Sequence, residues 1–222
     1  RMYRPCPLCL TSQPNMMYQG PLREYLRCQR CGLIFVPKDA LLPPAEEKSR
    51  YDLHDNHIND PGYQNFLQQL SQPLIKHIGP PPQSGLDFGC GPGPALAHML
   101  AGQGYTMSLY DPFYKPHSEL LNRPYDFVTC TEVMEHLHHP AQEWTVLLSL
   151  LKSDGWLGIM TKLIEDPAAF PNMHYIQDAT HVSFYSRTTF KFLAMRSALD
   201  VKFIGDNVIL FHKPLKSGSG IK

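Results

Sequence analysis

The sequence predicts an α/β fold in which a mostly parallel sheet has helices on both faces, with a small additional unit at the N-terminus. From Leu86 onward, short β-rich runs alternate with helical stretches, which is typical of a parallel sheet covered by helices. A glycine-rich turn follows the first of these runs, at the place where ligands bind in such sheets. Four of the six cysteines lie within the first 31 residues, outside the alternating region.

The composition is that of a globular protein rather than a membrane protein or a general nucleic-acid binder. The 222 residues are 43% hydrophobic and carry 20 basic and 20 acidic side chains. No run approaches the roughly 18 to 20 apolar residues that a membrane-spanning helix needs. The first residues lack the apolar stretch of a signal peptide, so we expect a cytoplasmic location and no membrane span.

Two C-x2-C pairs dominate the N-terminal segment. Cys6 with Cys9, and Cys28 with Cys31, are separated by 18 residues, a spacing that can bring four thiolates around one zinc ion. Gly32 suits the left-handed turn behind the second pair. Two disulfides are the alternative, which reducing intracellular conditions disfavour. We therefore predict a structural zinc ribbon over residues 1–40, stabilised largely by its metal.

The ribbon also contains most of the uneven charge of the chain. Its first 36 residues hold five arginines and a single glutamate. Four thiolates bound to one zinc ion would offset part of this basic excess. The remainder is too small to favour a nucleic-acid partner by itself.

Residues 41–84 are predicted to form a linker and a helical lid. Pro73 is expected to kink the helix. Five apolar residues approximate one helical face: Phe66, Leu67, Leu70, Leu74 and Ile78. The preceding stretch YDLHDNHINDPGY is rich in polar groups that could close over a ligand or simply form a polar loop, namely Tyr51, His54, Asn56 and His57.

The main domain is predicted to span residues 85–213. Its strands are predicted at LDFG, TMSLYD, YDFVTC and WLGIMTKL, and its first helices at ALAHML and WTVLLSLLK. A further helix is predicted at TTFKFLAMRSAL, and an antiparallel hairpin at VKFIG and VILFHK around the turn DN. Residues 214–222 are predicted to be a flexible tail.

The stretch GLDFGCGPGP indicates a ligand that approaches the backbone closely. It does not fit the dinucleotide motif G-x-G-x-x-G, because Pro94 or Leu96 occupies the place of the third glycine in the two possible registers. It also lacks the Gly-Lys-Ser/Thr of a P-loop. In the remaining pattern, D-x-G-x-G-x-G, Asp87 can accept from a ligand amine or order the turn. Gly89 and Gly91 would let a nucleoside and its amino-acid tail pass close to the chain.

A carboxylate at the end of the next predicted strand is the second ligand-binding signal. Asp111, in LYDPFY, lies 22 residues after Gly89 and can accept hydrogen bonds from both ribose hydroxyls of an adenosyl ligand. An isolated aspartate at a strand end is usually a cap or turn residue. Together with the glycines it forms a more specific pair.

With these motifs the sequence resembles the class I S-adenosylmethionine-dependent methyltransferases, over roughly Gly85 to Lys213. The matching segments are, in order, LDFGCGPGP, LYDPFY, YDFVTCTEVMEHL, LLSLLKSDGWLGIMT and DATHVSFYSRTTFKFLA. The nearest likeness is to bacterial small-molecule methyltransferases, including the ubiquinone-pathway O-methylases, some of whose relatives also carry an N-terminal zinc ribbon. The resemblance implies a Rossmann-like sheet of seven strands with a reversed final hairpin.

The resemblance also implies S-adenosylmethionine as a cofactor and a set of residues that bind it. Only 13 residues separate Asp111 from Tyr125, so the usual helix and third strand are expected to be shortened or lost. Cys90 and Cys130 are expected to be strand-end residues rather than nucleophiles. The predicted donor-binding residues are Tyr51, Asp87, Gly89, Cys90, Gly91, Asp111, Pro112, Thr131 and Glu132.

Two histidine clusters are candidates for catalysis, because a general base is needed if the acceptor is a hydroxyl or a similar acid. Glu132, Glu135 and His136 would share one face of a helix, and a similar trio in the ubiquinone-pathway family is associated with a divalent cation. The alternative for His136 is a structural role. In the second cluster, HYIQDATHVSFYS, His181 is the predicted base or acceptor-binding residue, with Tyr185 as a neighbour, and ordinary loop hydrogen bonding is the alternative.

Three functions are compatible with these features. The favoured one is methyl transfer to an O, N or C atom of a small-molecule or carrier-bound acceptor, with a ribbon that is structural or binds the acceptor. The second is an RNA or protein methyltransferase that docks its substrate through the ribbon, which salt-dependent RNA affinity would favour. The third is a catalytically silent zinc-containing binding protein, which donor binding without turnover would favour.

Overall fold

Two β-sheets organise the computed structural model, which describes residues 4–11, 14–54 and 57–215. Asn56 and most of the predicted tail at 214–222 lie outside the described residues. Within the described ranges, no helix has both the length and the apolar character needed to cross a membrane. The predicted α/β class is confirmed, with a main sheet that is mostly parallel and a small antiparallel sheet beside it.

The main sheet has its strands in the order β5-β4-β6-β7-β10-β9. The four strands β5, β4, β6 and β7 run parallel, whereas β10 runs antiparallel to both of its neighbours. The predicted final hairpin is confirmed, with Ile204 paired to Val208. The strands span Ser84–Phe88 (β4), Thr106–Tyr110 (β5), Tyr125–Thr131 (β6), Leu151–Met160 (β7), Asp200–Ile204 (β9) and Val208–His212 (β10).

The main sheet of the described chain has six strands, whereas the resemblance implies seven. The expected number of strands is therefore wrong by one. The segment between β5 and β6 is too short for a helix and a further strand. It forms only a 3-10 helix at Ser118–Asn122, and β5 therefore lies at the edge of the sheet.

Helices cover both faces of the main sheet, as predicted. They span Pro44–Tyr51 (α1), Pro61–Ile78 (α2), Ala95–Gly102 (α3), Pro140–Ser149 (α4) and Arg187–Ser197 (α5). α2 and α3 pack against the face that carries Phe127 and Met160. α4 and α5 pack against the opposite face, which carries Val128 and Ile159.

The second helix, α2, packs against one face of the main sheet. Asp60 caps it by accepting hydrogen bonds from the first-turn amides, and the helix continues through Pro73. Leu70 lies so close to β7 that a Cβ at Gly158 would be 2.9 Å from its Cδ1. This packing favours a fixed position for α2 over a movable lid, while the division of the chain at 41–84 stays a prediction.

The small sheet joins the N-terminal segment to the main domain. Its strands are Asn15–Gln19 (β1), Glu24–Arg27 (β2), Ile34–Phe35 (β3) and Ser183–Phe184 (β8), in the order β1-β2-β3-β8. Because β8 is supplied by the segment that follows β7, the ribbon and the main domain share one continuous sheet. A backbone hydrogen bond from the Ala141 amide to the Pro7 carbonyl, at 3.2 Å, is a second link between the ribbon and the main domain.

The four ribbon cysteines converge as the spacing predicts. Their Sγ atoms all lie within 4.8 Å of one another, with 3.6 Å between Cys6 and Cys31 and 3.4 Å between Cys9 and Cys28. Four Zn–S bonds of about 2.3 Å in a tetrahedron place the sulfurs about 3.8 Å apart. The cluster therefore has the donor type and spacing of a structural zinc site.

The turns that hold the cysteines have matching geometry. Leu10 and Gly32 each stand four residues after the first cysteine of a pair, and both have positive φ, 62° and 77°. Their amides donate to the Cys6 and Cys28 carbonyls at 3.0 Å. A hydrogen bond from the Cys31 thiol lowers the pKa of Cys6 to about 6, whereas the contact with Cys6 and burial raise the pKa of Cys31 well above its usual value, so Cys6 is the first thiol of this pair to ionise.

We expect the purified protein to hold one zinc ion per chain and Cys28→Ser to lose it, because a zinc site needs all four of its ligands. Thermal stability of the main domain should fall as well, since the ribbon shares β8 with it. Elemental analysis and thermal denaturation measure the two effects. Cys90→Ser, which alters a cysteine outside the cluster, is the matched control and should retain zinc. Protein with reduced thiols and no zinc would contradict the assignment.

Candidate functional site

A cavity of about 420 Å³ lies at the carboxyl ends of β4, β5 and β6. The loops that follow these three strands form its floor, and the C-terminal end of α1 and the segment 175–181 form its walls. This is the edge where ligands bind in parallel α/β sheets. The cavity collects residues from both predicted ligand motifs and from both histidine clusters.

The glycine turn after β4 has two residues with positive φ, Gly89 at 75° and Gly91 at 66°. The Gly89 and Cys90 amides donate to the Tyr110 carbonyl, at 2.8 and 3.1 Å. A Cβ at Gly89 would lie 2.4 Å from Val133 Cγ2, so packing demands a glycine there. A Cβ at Gly91 would meet nothing within 4 Å. Gly91 is therefore the place where a ligand can reach the backbone.

Asp111 ties the glycine turn to the loop after β5. Its Oδ2 accepts from the Gly91 amide at 2.9 Å, and its Oδ1 accepts from the Phe113 and Tyr114 amides at 2.8 and 3.1 Å. The side chain lines the cavity although it is only 7% exposed. A carboxylate has about four acceptor positions, so Asp111 can still accept from a ligand hydroxyl.

Asp87 lies behind the glycine turn rather than in the cavity lining. It is 2% exposed and accepts from the Thr129 hydroxyl at 2.9 Å. Burial raises the pKa of Asp87 to about 6. The geometry thus favours the turn-ordering role over direct contact with a ligand.

The end of α1 forms one wall, and Tyr51 and His54 both line the cavity. The Tyr51 hydroxyl donates to Glu47 Oε1 at 2.6 Å, and its ring meets His136 edge-on at 5.1 Å between centroids. Burial and the nearby Glu47 raise the pKa of Tyr51 well above its usual range. His57 is exposed and outside this lining.

The chain after β6 is not an α-helix. The prediction that Glu132, Glu135 and His136 share one face of a helix is therefore wrong. Glu132 has a positive φ of 53°, and only Met134–His136 form a short 3-10 helix. A sharp turn at the strand end replaces the helix. Glu132 still lines the cavity, where burial and the Glu135 carboxylate raise its pKa.

The structure unites the two histidine clusters in one group. One potential ligand atom from each of Glu135, His136 and His181 lies within 4.8 Å of the others, and the two imidazole centroids are 4.7 Å apart. Glu135 is fully buried, and its Oε2 accepts from the Thr161 hydroxyl at 2.9 Å. Its Oε1 is buried without a hydrogen-bond partner among the described residues.

Backbone carbonyls fix the protonation of both imidazoles. Nδ1 of His136 donates to the Thr180 carbonyl at 3.1 Å, and Nδ1 of His181 donates to the Tyr175 carbonyl at 2.7 Å. Burial lowers the pKa of His136 to about 4 and also lowers that of His181. Both rings are therefore neutral near pH 7, each with a lone pair on Nε2.

Asp178 lies beside the histidine pair, with Oδ2 at 3.7 Å from Nε2 of His181. Although burial opposes its ionisation, hydrogen bonds from the Thr180 side chain and amide lower the pKa of Asp178. The carboxylate can therefore stabilise His181 when that imidazole takes up a proton.

Eight of the nine predicted donor-binding residues line the cavity, all except Asp87, but their role as donor ligands stays a prediction. Burial raises the pKa of Cys90 to about 12 and that of Cys130 well above its usual value, which favours the expectation that neither is a nucleophile.

The predicted catalytic role of Tyr185 is corrected, because its side chain is fully buried, stacks on Phe190 and does not line the cavity. It is therefore not retained as a catalytic candidate.

Three cavity residues are absent from the predicted site. Glu47 lies on α1, Tyr63 on the first turn of α2, and Tyr175 in the loop after β7. Glu47 belongs to no motif and reaches the cavity through tertiary packing. Tyr63 and Tyr175 lie within the polar stretches YDLHDNHINDPGY and HYIQDATHVSFYS, whose composition is the signal that could have found them.

Comparisons with known proteins agree with this geometry. A family model described as a methyltransferase domain matches residues 57–201. A Burkholderia thailandensis 1,6-didemethyltoxoflavin-N1-methyltransferase, solved with 1,6-didemethyltoxoflavin and S-adenosylhomocysteine, is 17% identical with a TM-score of 0.53, covering 91% of this chain and 99% of that one. An O-methyltransferase family protein from the same organism is 15% identical with a TM-score of 0.50, covering 77% of this chain and 63% of that one. At these identities the structural likeness shows the fold alone. No curated protein matches the sequence.

Proposed function

The chain belongs to the methyltransferase-domain family and is an S-adenosylmethionine-dependent methyltransferase, and we propose that it methylates a small-molecule or carrier-bound acceptor beside its histidine pair. One observation carries the proposal. The glycine turn with Asp111 and the pair His136 and His181 line the same cavity. Donor and acceptor groups can therefore meet in one partly enclosed space, which is what a displacement at a methyl carbon requires.

The charge of the cavity favours a sulfonium donor over a dinucleotide. Four carboxyl groups line it, of which Glu132 has a pKa raised to about 9 and therefore favours the neutral form near pH 7, and among its described lining residues there is no lysine or arginine. A positively charged sulfonium is attracted by this environment, whereas a pyrophosphate would be repelled. The carboxyl groups belong to Glu47, Asp111, Glu132 and Asp178.

In the proposed reaction, an acceptor hydroxyl or similar acid lies beside Nε2 of His181. Its oxygen or nitrogen attacks the methyl carbon, the carbon–sulfur bond breaks, and the donor leaves as neutral S-adenosylhomocysteine. The proton of the acceptor passes to the lone pair of His181 Nε2. Asp178 stabilises the resulting imidazolium, and His136 packs against the ring and keeps it in place.

The contacts of two of the ribbon arginines weaken the RNA or protein alternative. Arg4 pairs with Glu24 and Asp39. Arg23 donates to the carbonyls of three loop residues at 2.9 to 3.0 Å, namely Ile176, Asp178 and Ala179. These two guanidinium groups make intramolecular ion pairs and hydrogen bonds, so they are not available to bind the phosphates of a nucleic acid. The similar Burkholderia thailandensis enzyme is named as a methyltransferase of 1,6-didemethyltoxoflavin, which is in line with the favoured class.

A divalent cation is a second candidate for activating the acceptor, and the unpartnered Oε1 of Glu135 favours it. His136 and His181 donate through Nδ1 to carbonyls, which is how metal-binding histidines are usually oriented. The residues thus fit a site with two imidazoles and one carboxylate. In this candidate site His181, rather than Glu132 from the predicted trio, would be the third ligand. Bound there, a cation would supply Lewis acidity to an acceptor oxygen.

Asp111→Ala should weaken S-adenosylmethionine binding by about 1 to 3 kcal/mol, because it removes an acceptor and leaves the Gly91 amide without its partner. Isothermal titration calorimetry measures the change. Asp166→Ala is the matched control, since this aspartate also accepts from a nearby amide but in an exposed loop outside the cavity. Unchanged donor affinity in Asp111→Ala would refute the donor assignment.

His181→Ala should lower turnover by roughly 10² to 10⁴, the range for loss of a positioned general base, and leave donor affinity nearly intact. Labelled donor and fractionated cell extract identify the acceptor, after which kcat and donor affinity are measured separately. His174→Ala, an exposed histidine of the same loop, is the control. Full turnover in His181→Ala would assign the proton transfer to another group.

If the cation candidate is correct, zinc-loaded protein should bind Mn²⁺, and Glu135→Gln or His181→Ala should weaken that binding by about tenfold or more. Electron paramagnetic resonance of free Mn²⁺ measures the affinity without reference to activity, and the ribbon thiolates prefer zinc. Glu132→Gln tests the ligand set and should leave the affinity unchanged. Absence of Mn²⁺ binding would leave the histidine pair acting as a base alone.

A further inference from the structure

A second cavity, of about 600 Å³, lies between the ribbon and the main domain. Its walls come from 4–7 and 35–39 on the ribbon side and from 137–139 and 182–183 on the main-domain side. It is thus built by the junction of the two parts.

This second cavity adjoins the first one. Leu137 lines both of them, and its carbonyl accepts from the Ser183 hydroxyl at 3.1 Å. Glu47 lines the first cavity and His138 lines the second, with 3.8 Å between Oε1 of Glu47 and Nε2 of His138. The second cavity therefore begins one side chain away from the proposed site of methyl transfer.

The size of the first cavity leaves little room for an acceptor. At about 420 Å³ it is near the lower end of the roughly 300 to 1,000 Å³ of ligand pockets. A donor that consists of a nucleoside and an amino acid would take up much of that space. An acceptor whose reactive atom lies beside His181 must then extend beyond the first cavity.

We propose that the second cavity binds the part of the methyl acceptor that is distal to the methylated atom, and that this part is an apolar ring or chain that carries an acidic group. The inference rests on the proposed function, because it concerns the acceptor of that reaction. It also gives the ribbon a direct part in substrate selection.

The lining of the second cavity supports this class of ligand. Its walls are mostly apolar, with Phe35, Val36, Leu41 and Val182 among them. Such walls suit an aromatic or aliphatic group.

A basic side chain in the lining supplies the recognition of an acid. Nε2 of His138 is buried and lies 3.8 Å from Oε1 of Glu47, so it is not offered to a ligand in this cavity. Lys38 is exposed and makes no ion pair with any described residue, whereas Arg4 is already paired with Glu24 and Asp39. Lys38 is thus the cation that is available for an acidic group.

Two matched probes test the proposal, 1-naphthoate and its neutral analogue 1-naphthalenemethanol. Each is titrated into zinc-loaded protein saturated with S-adenosylhomocysteine, so that the first cavity is occupied, and binding is followed by calorimetry. Leu41→Trp fills the cavity and should weaken both probes at least tenfold. Lys38→Ala should weaken naphthoate about two- to fivefold, as for a partly exposed ion pair, and leave the alcohol unaffected. Lys191→Ala, an exposed cation on α5 outside the cavity, is the control.

The outcomes separate this proposal from the proposed function. Absence of saturable naphthoate binding, or binding that Leu41→Trp leaves unchanged, overturns the acceptor cavity even if S-adenosylhomocysteine binds normally. Failure of S-adenosylhomocysteine to bind counts against the donor site, and the naphthoate titration without it still decides the cavity. Should Leu41→Trp lose zinc or fail to fold, the contrast between the two probes in Lys38→Ala decides.

Discussion

The hydrogen bonds between the ribbon and the segment after β7 are the constraint on which the functional part of this molecule depends. β3 pairs with β8, the Val36 amide donates to the Val182 carbonyl at 2.9 Å, and the Val182 amide donates to the Glu135 carbonyl at 2.8 Å. Arg23 adds the bonds to the loop carbonyls before β8. A zinc ion held by the four cysteines would fix the ribbon and thereby the backbone around the histidine pair.

This backbone sets the chemistry of the histidines. Each ring has one nitrogen committed to a carbonyl of the loop, and burial keeps the ring neutral, so the reactive lone pairs are determined by main-chain position rather than by other side chains. A loop shift of a few tenths of an ångström would change these hydrogen bonds together. The small sheet that contains β3 and β8 therefore stabilises the loop before β8, which is not enclosed in the core of the main domain.

Local patterns predicted much of this arrangement, and tertiary packing decided the rest. The cysteine pairs, the final hairpin and the glycine turn depend on residues close in sequence, and all three lie where the sequence indicated. Glu135 and His181 lie close together although they are 46 positions apart in the sequence, so no local pattern could predict their contact. The sequence predicts Tyr185 as a neighbour of His181, but the intervening strand β8 carries it into the core. The helix expected at Glu132 failed because β6 ends in a turn with positive φ.

That turn has a consequence for how the sequence can change. A residue other than glycine in the left-handed region costs about 1 kcal/mol in backbone free energy. Selection for stability alone would therefore favour Glu132→Gly, since glycine adopts this conformation freely. Variants recovered from a thermal-stability screen would drift toward that substitution, whereas variants recovered for activity would keep the carboxyl group that faces the cavity. The strained turn at the end of β6 thus marks a position where selection for stability and selection for the predicted donor-binding carboxyl group would favour different residues.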